Sequence, residues 1–329
     1  MKTNTLGQSS LTVSALGLGC MGMSEFYGQS NDTVSLQTLD AALALGVNFF
    51  DTADTYGLGH NEQLLGQWLR HQPRDQVVLA TKFGIVRQAG QYERSIDNSP
   101  AYIRQACEAS LQRLGVDYID LYYCHRRNPE TPVEEMVGAM AELVKEGKVR
   151  ALGLSEVSVD TLRRAANVHP IAAVQNEYSL WWRKPEEGLL QACEELGTNL
   201  VAYSPLGRAF LTATLSSTEQ LAADDFRRNN PRFQGDALQH NQQLVATLAA
   251  FAQERGVTPA QVALAWLLAK SPRVIPIPGT RRVAYLTQNV AALDVTLSAA
   301  EVAWLDQLFN PADVRGERYP EGGFVGIEE

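Results

Sequence analysis

Three ionisable residues, Asp51, Lys82 and His125, each come at the end of an apolar run of strand length. Tyr56 follows shortly after Asp51. A phenol has an ordinary pKa of about 10, which a neighbouring ammonium lowers. A carboxylate can hold that ammonium in place, and an imidazole can orient a carbonyl oxygen. Together these residue types predict a general acid directed at a developing alkoxide.

Each of these residues also has an ordinary structural explanation when taken alone. A strand-end Asp often caps a turn, a strand-end Lys is usually solvated, and a lone His is more often structural than catalytic. Their occurrence at the ends of consecutive strands weakens that explanation. A Schiff base on Lys82 is an alternative chemistry, although a nearby carboxylate keeps an amine charged and poorly nucleophilic.

Eight apolar runs can supply the strands that position these residues. They are continuous rather than alternating, which is typical of strands covered on both faces. The runs are Ala15–Gly19, Val47–Phe50, Val77–Thr81, Ile119–Tyr123, Val149–Leu154, Ala172–Gln175, Leu200–Tyr203 and Val274–Ile277. Amphipathic stretches with helix start or stop signals lie between them. These are Asp32–Leu45, Tyr102–Leu114, Pro132–Glu146, Asp160–Asn167, Pro185–Leu196 and Asn241–Arg255.

Strands that alternate with helices imply parallel pairing. Eight such units with no break in composition predict an α/β fold, a closed (β/α)8 TIM barrel that spans residues 1–329 as a single domain. Barrel chemistry lies at the carboxyl ends of the strands, where the candidate residues fall. The expected additions are a β-hairpin at 2–14 across the barrel bottom, a long loop at 206–240, extra C-terminal helices at Thr258–Lys270 and Ser298–Leu308, and a surface tail at 310–329.

Composition narrows the function classes. The chain has 329 residues, is 45% hydrophobic and carries a net charge of −9, which argues against a nucleic-acid partner. Its four cysteines form no close pair that would indicate a metal site or a disulfide framework. We find no signal peptide and no apolar run that could span a membrane, so we expect a cytoplasmic protein with reduced thiols.

The segment Gly17–Gly22 matches the dinucleotide-binding pattern GxGxxG and follows a predicted strand. A dinucleotide-binding βαβ unit needs a helix that begins at the third glycine and an acidic residue about 20 positions later. Here a loop follows, the helix begins near Asp32, and the next strand-end acid is Asp51. We therefore do not expect a Rossmann unit.

Several motifs in order make the chain resemble the aldo-keto reductase superfamily. They are Phe50-Asp51-Thr52-Ala53, Tyr56-Gly57, Asn61-Glu62, Ala80-Thr81-Lys82, Asp120 to Arg126, Gly153-Leu154-Ser155, Gln175 to Ser179, Tyr203 to Gly207 and Ile277 to Thr280. The opening Gly17 to Ser24 is similar to a bacterial and plant branch that includes auxin-induced-type and perakine-reductase-like members.

The resemblance implies an NADPH-dependent oxidoreductase that reduces aldehydes or ketones, with NADP+ as the oxidised cofactor and no metal. Tyr56 would donate the proton, Lys82 paired with Asp51 would lower its pKa, and His125 would orient the carbonyl. The hydride would come from the nicotinamide. We expect a small-molecule carbonyl substrate and a monomer or weak homo-oligomer. An alternative within the superfamily is a cofactor-sensing regulatory subunit with little turnover, against which the complete set of four residues argues.

The resemblance also implies where the cofactor lies. Ser155 and Gln175 would meet the carboxamide, Tyr203 would stack on the nicotinamide, and the 206–240 loop would lie on the cofactor side. Two adjacent arginines, Arg281 and Arg282, favour NADPH over NADH. The full set of expected cofactor contacts is Gly19, Cys20, Met21, Asp51, Ser155, Gln175, Tyr203, Ser204, Pro205, Leu206, Gly207, Arg208, Ile277, Gly279, Thr280, Arg281, Gln288 and Asn289.

Aromatic and apolar residues near the predicted rim are candidates for the substrate pocket. They are Met21, Phe26, Tyr27, Phe83, Trp181 and Trp182, of which the tryptophan pair fits either a pocket wall or the core. The chain also departs from the family pattern. Glu156 follows Ser155 where many members have Asn, and Arg127-Asn128 stands where an Asp is frequent. Ala209 and Ala213 replace expected glycines, so we expect that loop to avoid left-handed backbone and to close differently.

Overall fold

The computed structural model describes residues 1–89 and 94–328, so residues 90–93 and 329 of the predicted domain lie outside the described residues. The strands are β1 (Thr3–Thr5), β2 (Thr12–Ser14), β3 (Leu18–Gly19), β4 (Phe49–Asp51), β5 (Val78–Phe83), β6 (Ile85–Arg87), β7 (Arg94–Ile96), β8 (Ile119–Cys124), β9 (Val149–Ser155), β10 (Ile171–Glu177), β11 (Asn199–Tyr203) and β12 (Val274–Pro276).

Eight parallel strands form the central sheet, in the order β12-β11-β10-β9-β8-β5-β4-β3. The first and last strands of this order also meet. The Gly17 amide donates to the Pro276 carbonyl at 3.0 Å, and Gly19 and Gly279 form a parallel bridge. The predicted (β/α)8 barrel is therefore confirmed, with each of the eight apolar runs contributing one strand.

Gly19 explains part of the misleading GxGxxG pattern. A Cβ atom at this position would lie 2.9 Å from the carbonyl oxygen of Ile277, which is closer than real contacts allow. The glycine thus lets β3 and β12 approach and close the barrel. A short 3-10 turn at Met21–Met23 and a loop separate it from the next helix, so no helix opens at Gly22.

Helices follow the strands along the chain. They are α1 (Asp32–Ala44), α2 (His60–Leu69), α3 (Pro100–Leu114), α4 (Val133–Lys145), α5 (Val159–Val168), α6 (Leu189–Leu196), α7 (Gly235–Glu254), α8 (Pro259–Lys270), α9 (Val283–Ala291) and α10 (Ala299–Leu308). The sequence pattern does not predict α2, α9 or the antiparallel β6–β7 hairpin. No helix within the described residues is both long and apolar enough to cross a membrane.

The structure also describes the segments predicted as additions to the barrel. Strands β1 and β2 pair antiparallel, and Leu6, Leu11 and Val13 pack into the cluster inside the barrel. The 206–240 segment differs from the expected open loop, because it contains four short 3-10 turns and α7 begins within it, at Gly235. One of these turns contacts the loop after β3, where the Phe226 amide donates to the Phe26 carbonyl at 2.9 Å.

Candidate active site

The centre of the site is a buried ion pair between neighbouring strands. Asp51 ends β4 and Lys82 lies near the end of β5, so both side chains reach the carboxyl end of the barrel. The Lys82 ammonium donates to Asp51 Oδ1 at 2.5 Å, to the Thr52 carbonyl at 2.8 Å and to the Tyr56 hydroxyl at 3.2 Å. An ammonium has three donors, and here all of them are used. Lys82 is therefore held as a cation, not as the free amine that Schiff-base chemistry requires.

Gln175 completes the surroundings of the acid, because its side-chain amide donates to Asp51 Oδ2 at 2.7 Å. Burial raises the pKa of Asp51 and lowers the pKa of Lys82, and in each case the charge of the partner opposes the shift. The contacts favour the charged pair, since both Asp51 oxygens accept hydrogen bonds and Lys82 also faces a carbonyl.

Tyr56 and His125 lie above this pair. Left-handed backbone at Gly57 and Leu58 turns the chain after Tyr56 and leads into α2. The two rings stand edge to face, with centroids 5.7 Å apart and an interplanar angle of 86°. Burial lowers the pKa of His125 well below its usual value, assisted by the charges of Lys82 and nearby arginines. His125 is therefore a neutral imidazole at physiological pH.

The expected depression of the Tyr56 pKa is not found in the protein by itself. Burial raises the pKa of Tyr56 well above its usual value, and the charge of Asp51 adds to the rise. The loss of water around the phenol, which the neighbouring residues in the sequence do not reveal, is the largest cause of the rise. A raised pKa keeps the hydroxyl protonated, which is the state that a proton donor needs.

Asn61 and Glu62 belong to the sequence motif but received no role from the sequence. Asn61 accepts from Thr52 Oγ1 at 2.6 Å and donates to the Cys20 carbonyl at 2.8 Å. Glu62 accepts from Thr81 Oγ1 at 2.6 Å. Both side chains are buried. They fasten the start of α2 to the strand ends that carry Asp51 and Lys82, so they position the ion pair without facing the cavity.

A cavity of about 750 Å³ opens at the carboxyl ends of the strands, and Tyr56 and His125 line it. Among the expected cofactor contacts, the residues that line it are Gly19, Cys20, Met21, Asp51, Ser155, Gln175, Tyr203, Ser204, Pro205, Leu206, Arg208, Ile277, Gly279, Thr280, Arg281, Gln288 and Asn289. Gly207 does not line it. Its Cα lies under Trp181, where a Cβ would come within 2.6 Å of the indole ring.

Three of the residues predicted for the substrate pocket lie elsewhere. Trp181 is buried in the core, where its ring stacks on Phe210 at 4.3 Å between centroids. Phe83 is also fully buried and packs against Tyr122. Trp182 lies under two arginine side chains outside the cavity. An apolar side chain near the strand ends can point into the core or into the cavity, and sequence position does not decide between them.

Met21, Phe26 and Tyr27 do line the cavity, as predicted, and the sequence missed much of the remaining wall. The missed wall residues include Glu25, Thr55, Ile85, Arg87, Arg94, Arg126, Leu215, Leu221, Phe226 and Tyr319. Several of them come from the β6–β7 hairpin, the turns after residue 214 and the C-terminal tail. None of these segments has a periodic pattern that would have placed it over the barrel.

Arg281, for which the resemblance implies a phosphate contact, spans the cleft in the structure. Its guanidinium donates to the carbonyls of Tyr27 at 2.8 Å, Gly22 at 3.2 Å and Gly28 at 3.3 Å. Burial lowers the pKa of Arg281, and the positive charges of Arg282 and Arg227 lower it further. Several cations thus gather at this end of the cavity, an arrangement that an anionic group would stabilise.

The loop after β11 corrects another expectation. Ala209 and Ala213 adopt φ values of +71° and +59°, so the alanines do take the left-handed backbone that we expected them to avoid. Arg208 has φ +58° and turns toward the tail, where it donates to the Arg318 carbonyl at 3.0 Å. The surrounding packing therefore overrides the local preference of alanine, which costs about 1–2 kcal/mol per residue.

The departure at Glu156 has a structural partner that the sequence did not reveal. Arg318, in the tail, donates to both carboxylate oxygens of Glu156, at 2.8 and 2.7 Å. The Tyr203 hydroxyl donates to Glu156 at 2.7 Å and meets the Tyr319 hydroxyl at 3.0 Å. The carboxylate thus ties the tail to the barrel and fixes the orientation of the Tyr203 ring.

Comparisons with known proteins agree with this geometry. The model of the aldo/keto reductase family matches residues 15–310. The chain is 45% identical to the aldo-keto reductase yakc [NADP(+)] of Schizosaccharomyces pombe, over 94% of this chain and 93% of that protein. It is 44% identical to a probable aldo-keto reductase of Glycine max, over 96% of this chain and 91% of that protein.

Solved structures are similar as well. The glycerol dehydrogenase of Gluconobacter oxydans superposes with a TM-score of 0.85 at 29% identity, over 94% of this chain and 96% of that chain. An aldo/keto reductase from Klebsiella pneumoniae, solved in complex with NADP and acetate, has a TM-score of 0.74 at 32% identity, over 97% and 99% of the two chains.

Proposed function

Because the chain belongs to the aldo/keto reductase family, we propose that it is an NADP-dependent reductase of aldehydes and ketones in which Tyr56 is the general acid. The observation that carries this proposal is the set of contacts made by Lys82. The ammonium donates to Asp51, to the Thr52 carbonyl and to the Tyr56 oxygen. Since Lys82 has no acceptor to offer, the proton of the Tyr56 hydroxyl is free to point into the cavity.

The same contact favours the product of proton transfer. When Tyr56 gives up its proton, the phenolate oxygen stays beside the Lys82 ammonium, which stabilises the new negative charge. Neutral His125 lies edge to face with Tyr56 and can donate to the same carbonyl oxygen. Asp51 holds Lys82 in position rather than taking part in the transfer.

The residues that line the cavity fit the cofactor. The charges of Arg281 and Arg282 suit an anionic phosphate, and Arg282 is exposed, whereas Arg281 is bonded to three carbonyls and Arg227 is paired with Asp225. Ser155 and Gln175 would hold the carboxamide at the other end, near Tyr56. Bound NADPH supplies the hydride to the carbonyl carbon. A cytoplasmic location and a monomeric or weakly associating state stay predictions.

Replacing Tyr56 with Phe tests the assignment. We expect turnover of a reactive aldehyde to fall by about 100- to 10,000-fold, the usual contribution of a general acid. NADPH affinity, measured by tryptophan fluorescence, should change little because the ring is kept. Tyr118→Phe is a matched control, since Tyr118 packs against Arg74 and Arg150 away from the cavity. Turnover within tenfold of the wild type in Tyr56→Phe would overturn the assignment.

A further inference from the structure

Arg126, the residue after His125, lines the cavity and has no ion-pair partner within residues 1–89 and 94–328. Its side chain is buried, with 5% exposure of the residue. Among the described residues its guanidinium makes one hydrogen bond, a long one of 3.5 Å from Nη1 to the carbonyl of His125, and its buried Nε has no partner. Within the same part of the chain no carboxylate forms an ion pair with it. A guanidinium stays charged in proteins, so this is a buried cation without an ion-pair partner among the described residues; the charge of Glu156 acts on it only from beyond ion-pair distance.

The surrounding structure holds the backbone and the Cβ atom of Arg126 in place. The Arg126 carbonyl accepts from the Asn98 side-chain amide at 3.1 Å and from Cys124 Sγ at 3.2 Å. Gly326 of the tail packs so closely that a Cβ there would lie 2.7 Å from the Arg126 Cβ. The base of the arginine side chain is thus packed between the barrel and the tail, and the residue is buried.

Nearby acids are already paired with other arginines. Two carboxylates behind the cavity, Glu156 and Glu177, face three other arginines. Glu156 pairs with Arg318 at 2.7 Å, and Glu177 lies within 3.6 Å of Arg208, Arg232 and Arg318. The positive charge of this buried region therefore exceeds the negative charge even before Arg126 is counted. Because burying an unpaired ion is costly, such an excess indicates an anion that binds in the cavity.

The position of Arg126 indicates which end of the cavity receives that anion. Arg126 directly follows His125 and its guanidinium donates to the His125 carbonyl, so it lies at the reacting end, whereas Arg281 lies over the carbonyls of the loop after β3. Cofactor phosphates would meet that other cluster. The remaining anion at the reacting end is one carried by the substrate.

We propose that Arg126 selects carbonyl substrates that bear an anionic group, a carboxylate or a phosphate, a few bonds from the carbonyl. This inference rests on the function proposed above. Arg126 forms charge-assisted hydrogen bonds to the anion and takes no part in the reduction. The carbonyl carbon gains the hydride and its oxygen gains the proton of Tyr56, while the anionic group leaves unchanged. Apolar side chains of Met21, Phe26 and Ile85 in the same cavity wall would pack against the carbon skeleton.

Matched substrate pairs test this proposal with the NADPH-loaded enzyme. The carboxylate pair is para-carboxybenzaldehyde and para-formylbenzamide, and the phosphate pair is glycolaldehyde phosphate and glycolaldehyde. In the wild type, kcat/KM for one charged member should exceed that of its neutral partner by roughly 10- to 100-fold. The pair with the larger ratio identifies the anion. Arg126→Gln should bring the ratio to about one, mainly through KM, and Arg126→Lys should keep part of it.

Arg150→Gln is the matched control, because Arg150 is an exposed arginine that pairs with Asp120 at the amino end of β9. It should keep the wild-type ratio. A ratio near one in the wild type, or the same high ratio in Arg126→Gln, would overturn the proposal. If neither the charged nor the neutral aldehydes are reduced, the proposed function is wrong, and the role of Arg126 is then tested by binding.

A binding measurement tests the role of Arg126 even if the protein reduces no aldehyde. Calorimetric titration of the NADP+-loaded protein with benzoate and with its neutral analogue benzamide needs no turnover. Tighter binding of benzoate to the wild type than to Arg126→Gln supports the anion site, and equal binding of the two compounds to the wild type refutes it. Arg126→Lys serves the same comparison if Arg126→Gln fails to fold.

Discussion

The Lys82–Asp51 pair gives the sharpest test of how the site is held together. Lys82→Met keeps the length of the apolar stem but removes an ammonium that makes three hydrogen bonds. Asp51 would remain inside the barrel with the Gln175 amide as its partner. Removing one member of a buried ion pair costs about 3–5 kcal/mol, because it leaves an uncompensated charge. That is a large part of a typical stability of about 5–15 kcal/mol.

The pH dependence identifies the cause of this loss. Burial already raises the pKa of Asp51, and removing the ammonium raises it further. A carboxyl whose folded pKa exceeds its unfolded value keeps its full contribution to stability below the unfolded pKa and loses it as the pH rises. The cost of Lys82→Met should therefore grow between about pH 5 and about pH 8, by about 1.4 kcal/mol for each unit of added pKa shift in that window.

Urea unfolding, followed by tryptophan fluorescence at both pH values, measures the effect. The double variant Asp51→Asn/Lys82→Met is the control, because it has the same methionine but no buried charge. The double variant should be more stable than Lys82→Met at the higher pH. Its free energy of unfolding should change with pH no more than that of the wild type. If the single and double variants are equally destabilised at both pH values, the loss is one of packing and the ion-pair reasoning is wrong.

Three further predictions concern other parts of the fold. Burial raises the pKa of Asp54 to about 8, so Asp54→Asn should gain stability over the wild type as the pH rises from about 5 to about 8. Urea unfolding should show a gain that reaches about 4 kcal/mol, at about 1.4 kcal/mol for each pH unit, and a gain independent of pH would contradict this. Gly7→Ala should cost about 3 kcal/mol in thermal unfolding, because its Cβ would lie 2.5 Å from backbone, whereas Gly147→Ala, with left-handed φ but open space, should cost about 1 kcal/mol. Arg318→Met leaves Glu156 buried without its main partner, so backbone amides of the tail should exchange hydrogen faster under conditions in which the barrel stays folded. Unchanged exchange in the tail would show that the Arg318–Glu156 pair does not hold the tail to the barrel.

Local pattern was enough to predict the barrel and the place of its chemistry. Continuous apolar runs at regular spacing imply buried parallel strands, and residues that end such strands must share one rim. Asp51, Lys82 and His125 could therefore be placed together without coordinates. Tyr56 followed from its motif, and the turn at Gly57 explains how it reaches the same rim.

Other features depend on contacts between distant parts of the chain, which no local pattern encodes. Glu156 stood out as a departure, but its partner Arg318 lies 162 positions away, in a tail without periodicity. Trp181 was ambiguous in sequence, and only packing against Phe210 places it in the core.

The sequence by itself determined the order of the eight barrel strands, the ionisable residues at their ends and the family to which the chain belongs, because these depend on composition, short motifs and short-range spacing. The tertiary structure alone decided which charges are paired. Burial is the main cause of the raised pKa of Tyr56, and within residues 1–89 and 94–328 the pairing of Glu156 with Arg318 leaves Arg126 without an ion pair of its own. Both results depend on how much water and which distant side chains surround a group once the chain has closed around it.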